Sequence, residues 1–201
     1  MNSPVKLSPL RVVWLSAVAA ACLSSASAGG KSVWLAENAS AAGPGMILPD
    51  SQGSFDCEVA DAAGITIGEK PRGGGDAKSL VFSGDQVLAF RTLKAIPAPF
   101  EGFTVKALVS VSELSADTDT TLLRHGTSWE IRYLTNRSAF QFIVWHEADV
   151  TSEVSVPAPP GDWVELSAEF RPGKMVLMVN GEKAEGVPKS SMFEGQKPQS
   201  L

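Results

Sequence analysis

Gly161 to Glu182, GDWVELSAEFRPGKMVLMVNGE, reads as two alternating strands joined by a turn. Val164, Leu166, Ala168 and Phe170 fall on one face, and Trp163, Glu165, Ser167, Glu169 and Arg171 on the other. That is the period of two of a half-buried strand. Met175, Leu177 and Val179 repeat the device. Between the runs, Pro172 presets φ for the second position of a turn, and Gly173 tolerates the positive φ of a type II third position. Asn180-Gly181 suits a tight I′ turn, so the chain is expected to reverse again there. These features predict an antiparallel sheet protein and leave its ligand open.

Residues 1–28 stand apart. Lys6 and Arg11 are their only charges, an apolar run extends from Val12 to Leu23, and Ala26-Ser27-Ala28 is a small-residue cleavage site. This reads as a secretory signal peptide. The uninterrupted apolar run falls well short of the roughly 20 residues that cross a bilayer as a helix. Cys22, preceded by Ala19-Ala20-Ala21, offers the alternative of a lipidation site, but the usual large aliphatic residue three places earlier is missing. Removing residues 1–28 of the 201 leaves 173 and takes away two positive charges, so the formal charge moves from −5 to −7. The remaining basic residues form no run, which argues against nucleic acid as a partner. Cys57 becomes the one remaining cysteine, so no disulfide forms within residues 29–201 and stability must come from packing. A secreted, periplasmic or cell-surface location and no membrane span are expected.

Residues 29–201 read as a single domain. Strand signals fall at Ser32–Ala36, Phe55–Ala60, Gly64–Ile67, Ser79–Phe82 and Val87–Phe90. A long alternating run then covers Phe103–Ser112, followed at spacings of about ten residues by Thr120–His125, Trp129–Leu134, Ala139–Trp145 and Glu153–Val156. This is the rhythm of a sandwich or barrel. The glycine triplet in Gly68–Lys78 leads into a strand rather than a helix, so it is no phosphate loop. No repeat with a period of 20 to 50 residues runs along the chain, and no apolar 3.6 period is sustained outside the leader.

Three landmarks occur in order: Ser79-Leu80-Val81-Phe82-Ser83-Gly84-Asp85, then Gly161-Asp162-Trp163-Val164-Glu165-Leu166, then Met175-Val176-Leu177-Met178-Val179-Asn180-Gly181. Together they resemble the "SLxFxG" strand, the "G-x-W" strand opening and the "LxVNG" strand and turn of LamG-like members of the concanavalin A-like lectin/glucanase superfamily. The resemblance spans roughly Lys31 to Gly186. It implies an all-β, two-sheet antiparallel jelly-roll sandwich. It also implies either a non-catalytic module binding glycan or extracellular protein, or a glycanase. After Gly181 the family pattern continues with closing strands, whereas Lys183–Leu201 carries Pro188 and Pro198 and no alternation. The chain is then a fragment or a sandwich closed in another way. The family's calcium ligands find no match. Asp117 and Asp119 share a loop, but two loop acids fall short of the six or more oxygens calcium takes, so no metal or other cofactor is assigned.

The glycanase branch carries Glu-x-Asp-x-Glu or Glu-x-Asp-x-x-Glu on a strand. Here Glu147, Asp149 and Glu153 share a parity, and an extended strand would set Glu147 and Asp149 about 7 Å apart at Cα. The spacer before Glu153 is one residue too long, however, and holds no bulky apolar side chain to desolvate an acid. His125 and His146 are the only histidines, Ser128 lies near the first, and neither a Gly-x-Ser-x-Gly elbow nor a His pair at i, i+4 accompanies them. Among the aromatic residues, Trp163 resembles the family's structural tryptophan. Trp145, then Trp129, are the candidate platforms for a sugar's apolar face, with His146 beside the first. The expectation is a secreted, non-enzymatic recognition domain. The alternatives are a glycanase using Glu147, Asp149 and Glu153, and a structural domain of an envelope or adhesive protein. Asn38-Ala39-Ser40 and Asn136-Arg137-Ser138 are glycosylation sequons that point to exposed loops.

Overall fold

The computed structural model describes residues 12–16, 19–23, 30–34, 38, 46–49, 57–59, 65–68, 78–83, 90–92, 102–112, 119–125, 128–146 and 150–190. The strands in chain order are β1 (Val12–Ser16), β2 (Ala19–Leu23), β3 (Gly30–Trp34), β4 (Ile47–Leu48), β5 (Cys57–Val59), β6 (Ile65–Gly68), β7 (Ser79–Ser83) and β8 (Phe90–Thr92). They continue with β9 (Phe103–Ser112), β10 (Thr120–His125), β11 (Trp129–Leu134), β12 (Ala139–Trp145), β13 (Thr151–Pro157), β14 (Trp163–Arg171), β15 (Lys174–Val179) and β16 (Glu182–Gly186).

A nine-stranded sheet runs β16-β15-β14-β9-β1-β7-β6, with β2 and β3 attached beside β9. A four-stranded meander, β10-β11-β12-β13, faces it, and β4-β5-β8 form a small third sheet. Every pairing among these strands is antiparallel. The two larger sheets share one core. Val105, Val109 and Phe103 of β9 and Leu166, Ala168 and Phe170 of β14 pack in one cluster with Ile131, Tyr133, Phe140, Phe142 and Val144 from the meander. Each residue comes from the apolar parity of its strand, so alternation in the sequence becomes a two-layer interior. This is a concanavalin A-like β-sandwich, as the landmarks imply.

Turn chemistry fixes the register. Gly173 has φ +79° and joins β14 to β15 with Arg171 opposite Lys174. Asn180 (φ +50°) and Gly181 (φ +89°) both lie in the left-handed region, the I′ geometry expected of Asn-Gly, and bring Glu182 opposite Val179. The Asn180 side chain adds a lock, its Oδ1 accepting the Glu165 N–H at 2.8 Å. In the meander, Leu122 and Leu123 both pack partly against the core because the register shifts between Thr121 and Leu123, a β-bulge. Tyr133 is buried with its hydroxyl donating to the Ala158 carbonyl at 3.0 Å. Burial pushes the phenol's pKa up, against a smaller opposite effect from Ser138, so the proton needed for that bond is retained.

The closing region differs from its reading as a stretch without alternation. Glu182–Gly186 is a strand, paired with β15 along its whole length. It is an edge strand, and edge strands carry charge rather than an apolar row. Lys183 and Lys174 both pair with Glu185, and the Lys183 hydrogen bond lowers the Glu185 carboxyl's pKa. Only Ala184 of β16 packs against the core, so sequence alternation had nothing to register. Of the tail, residues 191–201 lie outside the described residues, as do 69–77 of the glycine loop and 113–118, which include Asp117.

Candidate functional site

Strand parity divides the meander into two faces. Ile131, Tyr133, Phe140, Phe142, Val144, Val154 and Val156 point into the core. The intervening residues form the outer face. Register places Arg132 opposite Gln141, Gln141 opposite Ser155, Ile143 opposite Glu153 and Trp145 opposite Thr151.

A chain of polar contacts crosses this face. Arg132 Nε donates to Gln141 Oε1 at 2.7 Å, and Gln141 Nε2 donates to Glu153 Oε2 at 3.1 Å. Arg132 Nη1 also reaches Asp119 Oδ2 at 3.5 Å. Beside it, Thr121 Oγ1 donates to Glu130 Oε1 at 2.6 Å. Gln141 is 2% exposed and Glu130 7%, so these bonds satisfy groups that water cannot reach, and leaving either unpaired would cost about 1–3 kcal/mol. Buried Gln141 holds both Arg132 and Glu153 in place, and Glu153, Thr121 and Arg124 are exposed.

Trp145 sits at the end of β12 on this outer face, half-buried, its backbone N–H donating to Ser128 O at 3.0 Å. The Arg124 guanidinium lies 5.5 Å from the centre of its ring. That cation–π contact contributes about 0.5–1 kcal/mol at an exposed site and sets a planar donor beside an apolar plate.

The other sequence candidates lie elsewhere. Trp129 takes the inward parity and stacks on Phe103, centroids 5.3 Å apart, where it packs against the core. His146 is 1% exposed, with its ring 6.4 Å from that of Phe170. Its Nε2 lies 2.8 Å from Ser152 Oγ, which also accepts the Lys189 N–H at 2.8 Å. His146 and Ser152, the latter 6% exposed, are both buried, and their contact serves as a tether. It fastens the segment after β16 to β13. Glu153 lies on the outer face with Gln141 bound to its carboxylate, whereas Glu147 and Asp149 lie outside the described residues. Asn38 and Asn136 are both exposed.

A groove of about 200 Å³ opens between β13 and β16, lined in part by Ser152, Glu153, Met175, Val187 and Lys189. Drug-sized ligand pockets run from about 300 Å³ upward, so the groove is too small to enclose an oligosaccharide. Among the described residues no group of three or more His, Cys, Asp or Glu is placed to hold a metal. No helix among them is long and apolar enough to cross a membrane.

Sequence reasoning did not single out Arg132, Gln141, Glu130 or Arg124. Their parity opposite the apolar residues was readable, but a polar parity ordinarily marks a solvated face. Only the strand register shows that they join.

The outer face of the four-stranded sheet thus carries an indole beside an arginine and a hydrogen-bonded polar row. A laminin G family model, described as Concanavalin A-like lectin/glucanases superfamily, matches residues 82–198, and the chain belongs to that superfamily. Membership goes with a carbohydrate- or ligand-binding domain in general. No curated protein and no solved structure matches the chain.

Proposed function

We propose that the chain is a secreted, non-catalytic recognition domain that binds glycan, or another extracellular surface component, through the outer face of the β10–β13 sheet. One observation carries this reading: Trp145 is partly exposed on that face with Arg124 against its ring. A pyranose has an apolar face that stacks on an indole and a rim of hydroxyls that need donors and acceptors. Trp145 supplies the plate. Arg124, Arg132 and Glu153 supply the polar groups, and their network with Gln141 fixes two of the three before a ligand arrives. Prepaid ordering of this kind lowers the entropy cost of binding.

The same geometry weighs against hydrolysis. Glu153 is exposed and its carboxylate is already engaged by Gln141, whereas the general acid of a glycanase sits in a desolvated pocket.

A glycan array tests the proposal. Specific glycans are expected to be retained by the wild-type protein. Trp145→Ala should weaken the best of them by about 1 kcal/mol or more, roughly five-fold in Kd. Retention that survives this substitution unchanged moves the ligand off this face, and no retention of any glycan favours an extracellular protein partner.

A further inference from the structure

The free edge of β9 is covered by the leader. β1 lies between β9 and β7, with Val13 opposite Val111 and Phe82 and Leu15 opposite Val109 and Leu80. β2 continues along the same edge, where Cys22 faces Thr104. Both strands fall within residues 1–28. If those residues are removed on export, β9 keeps only β14 and β7 keeps only β6. A row of backbone N–H and C=O groups in a core-forming strand would then be open, and each such group left buried and unpaired costs about 1–3 kcal/mol.

Although no repeated unit runs along the whole chain, one short strand motif occurs twice, and its second copy suits this gap. Arg11-Val12-Val13-Trp14-Leu15-Ser16 is matched twenty residues later by Lys31-Ser32-Val33-Trp34-Leu35-Ala36. Each has a basic residue, one spacer, Val-Trp-Leu and a small residue. Because strand parity is kept, Val33 and Leu35 would take the register positions of Val13 and Leu15, opposite the core residues Val111 and Val109. Trp34 would take that of Trp14, opposite Ser110 and Val81. The second copy also begins close by, since β3 pairs with β2 and loses that partner when β2 is removed.

We propose that leader removal is coupled to a strand exchange, in which Ser32–Ala36 enters the slot between β7 and β9 vacated by Val12–Ser16. β3 is antiparallel to β2, and β2 is antiparallel to β9, so β3 must reverse direction to run antiparallel to β9. Cleavage after Ala28 makes that reversal feasible because residues 29–36 become a chain end. The precursor and the mature domain then differ in which copy of the motif completes the sheet.

The test uses the full chain, expressed with its leader and carrying Cys22→Ser and Cys57→Ser, with precursor and exported forms separated by intact mass. One variant adds Ser32→Cys with Ser112→Cys, a second Ser32→Cys with Ser83→Cys, the two positions that flank Val12 now. Directly opposed residues of antiparallel strands sit about 4.5–5.5 Å apart at Cα, within disulfide range. In the precursor Ser32 faces Ala21 instead. Mild oxidation is expected to cross-link the exported form, which begins at Gly29, in at least one variant and to leave the precursor's thiols free. The proposal is overturned by an exported, folded form that cross-links in neither variant, by equal cross-linking of precursor and exported form, or by export with the leader retained.

Discussion

Phe103→Ala is expected to destabilise the domain by about 3–5 kcal/mol, the loss typical of deleting a large aromatic side chain from a packed core. Phe103 is 2% exposed and the rings it meets include Trp129 of β11, Phe142 of β12 at 6.0 Å edge-on, and Phe170 of β14 at 6.0 Å. Two of these partners lie in the meander and one in its own sheet, so the ring joins the layers. Its removal leaves a void that neither layer can fill alone. Urea unfolding of the purified protein measures this as a shift of midpoint at constant slope. A loss within about 0.5 kcal/mol, the size of an ordinary surface substitution, would mean that the two sheets do not share this core.

Gly102→Ala is expected to cost about 2–4 kcal/mol although it adds a single methyl group. Gly102 is buried, with φ +134°, a backbone conformation that L side chains rarely adopt. A Cβ there would fall 2.5 Å from the Phe170 carbonyl oxygen and 2.9 Å from Arg171 Cγ. The first neighbour is backbone held in the β9–β14 pairing, where Phe170 lies opposite Phe103, so it cannot step aside cheaply. Alanine at Gly173, also at positive φ but with open space around it, isolates the backbone contribution and is expected to cost less. Equal losses at the two positions in urea unfolding would remove the close approach of β9 to β14 from the account.

The sequence is most explicit where both ends of a strand are punctuated and its alternation is complete. β9, β10, β11 and β12 begin and end where the apolar alternation and the polar turns place them. β16 escaped because an edge strand has a single partner and, of the two partly buried residues in EKAEG, only Ala184 has an apolar side chain to mark the core face. The same parity carried information about the candidate site. Trp129 shares its face with Ile131 and Tyr133, while His146 shares its with Phe140, Phe142 and Val144, so both were legible as inward residues. Trp145, on the alternate parity of β12, was legible as outward. The contacts of Arg132 with Gln141 and of Gln141 with Glu153 were not, because they depend on how two hairpins set three strands in register. A one-residue slip would have carried those side chains to the other face.

The measurement that bears most directly on the domain's proposed role is reducing-sugar release from β-glucans, made with the wild-type protein and with Glu147→Gln. Binding without catalysis predicts release no greater than the protein-free blank from either form. It also predicts unchanged glycan retention by the variant. Wild-type hydrolysis that falls on the order of 10²- to 10⁴-fold in Glu147→Gln, the usual contribution of a general acid or base, would contradict the account and make the chain a glycanase.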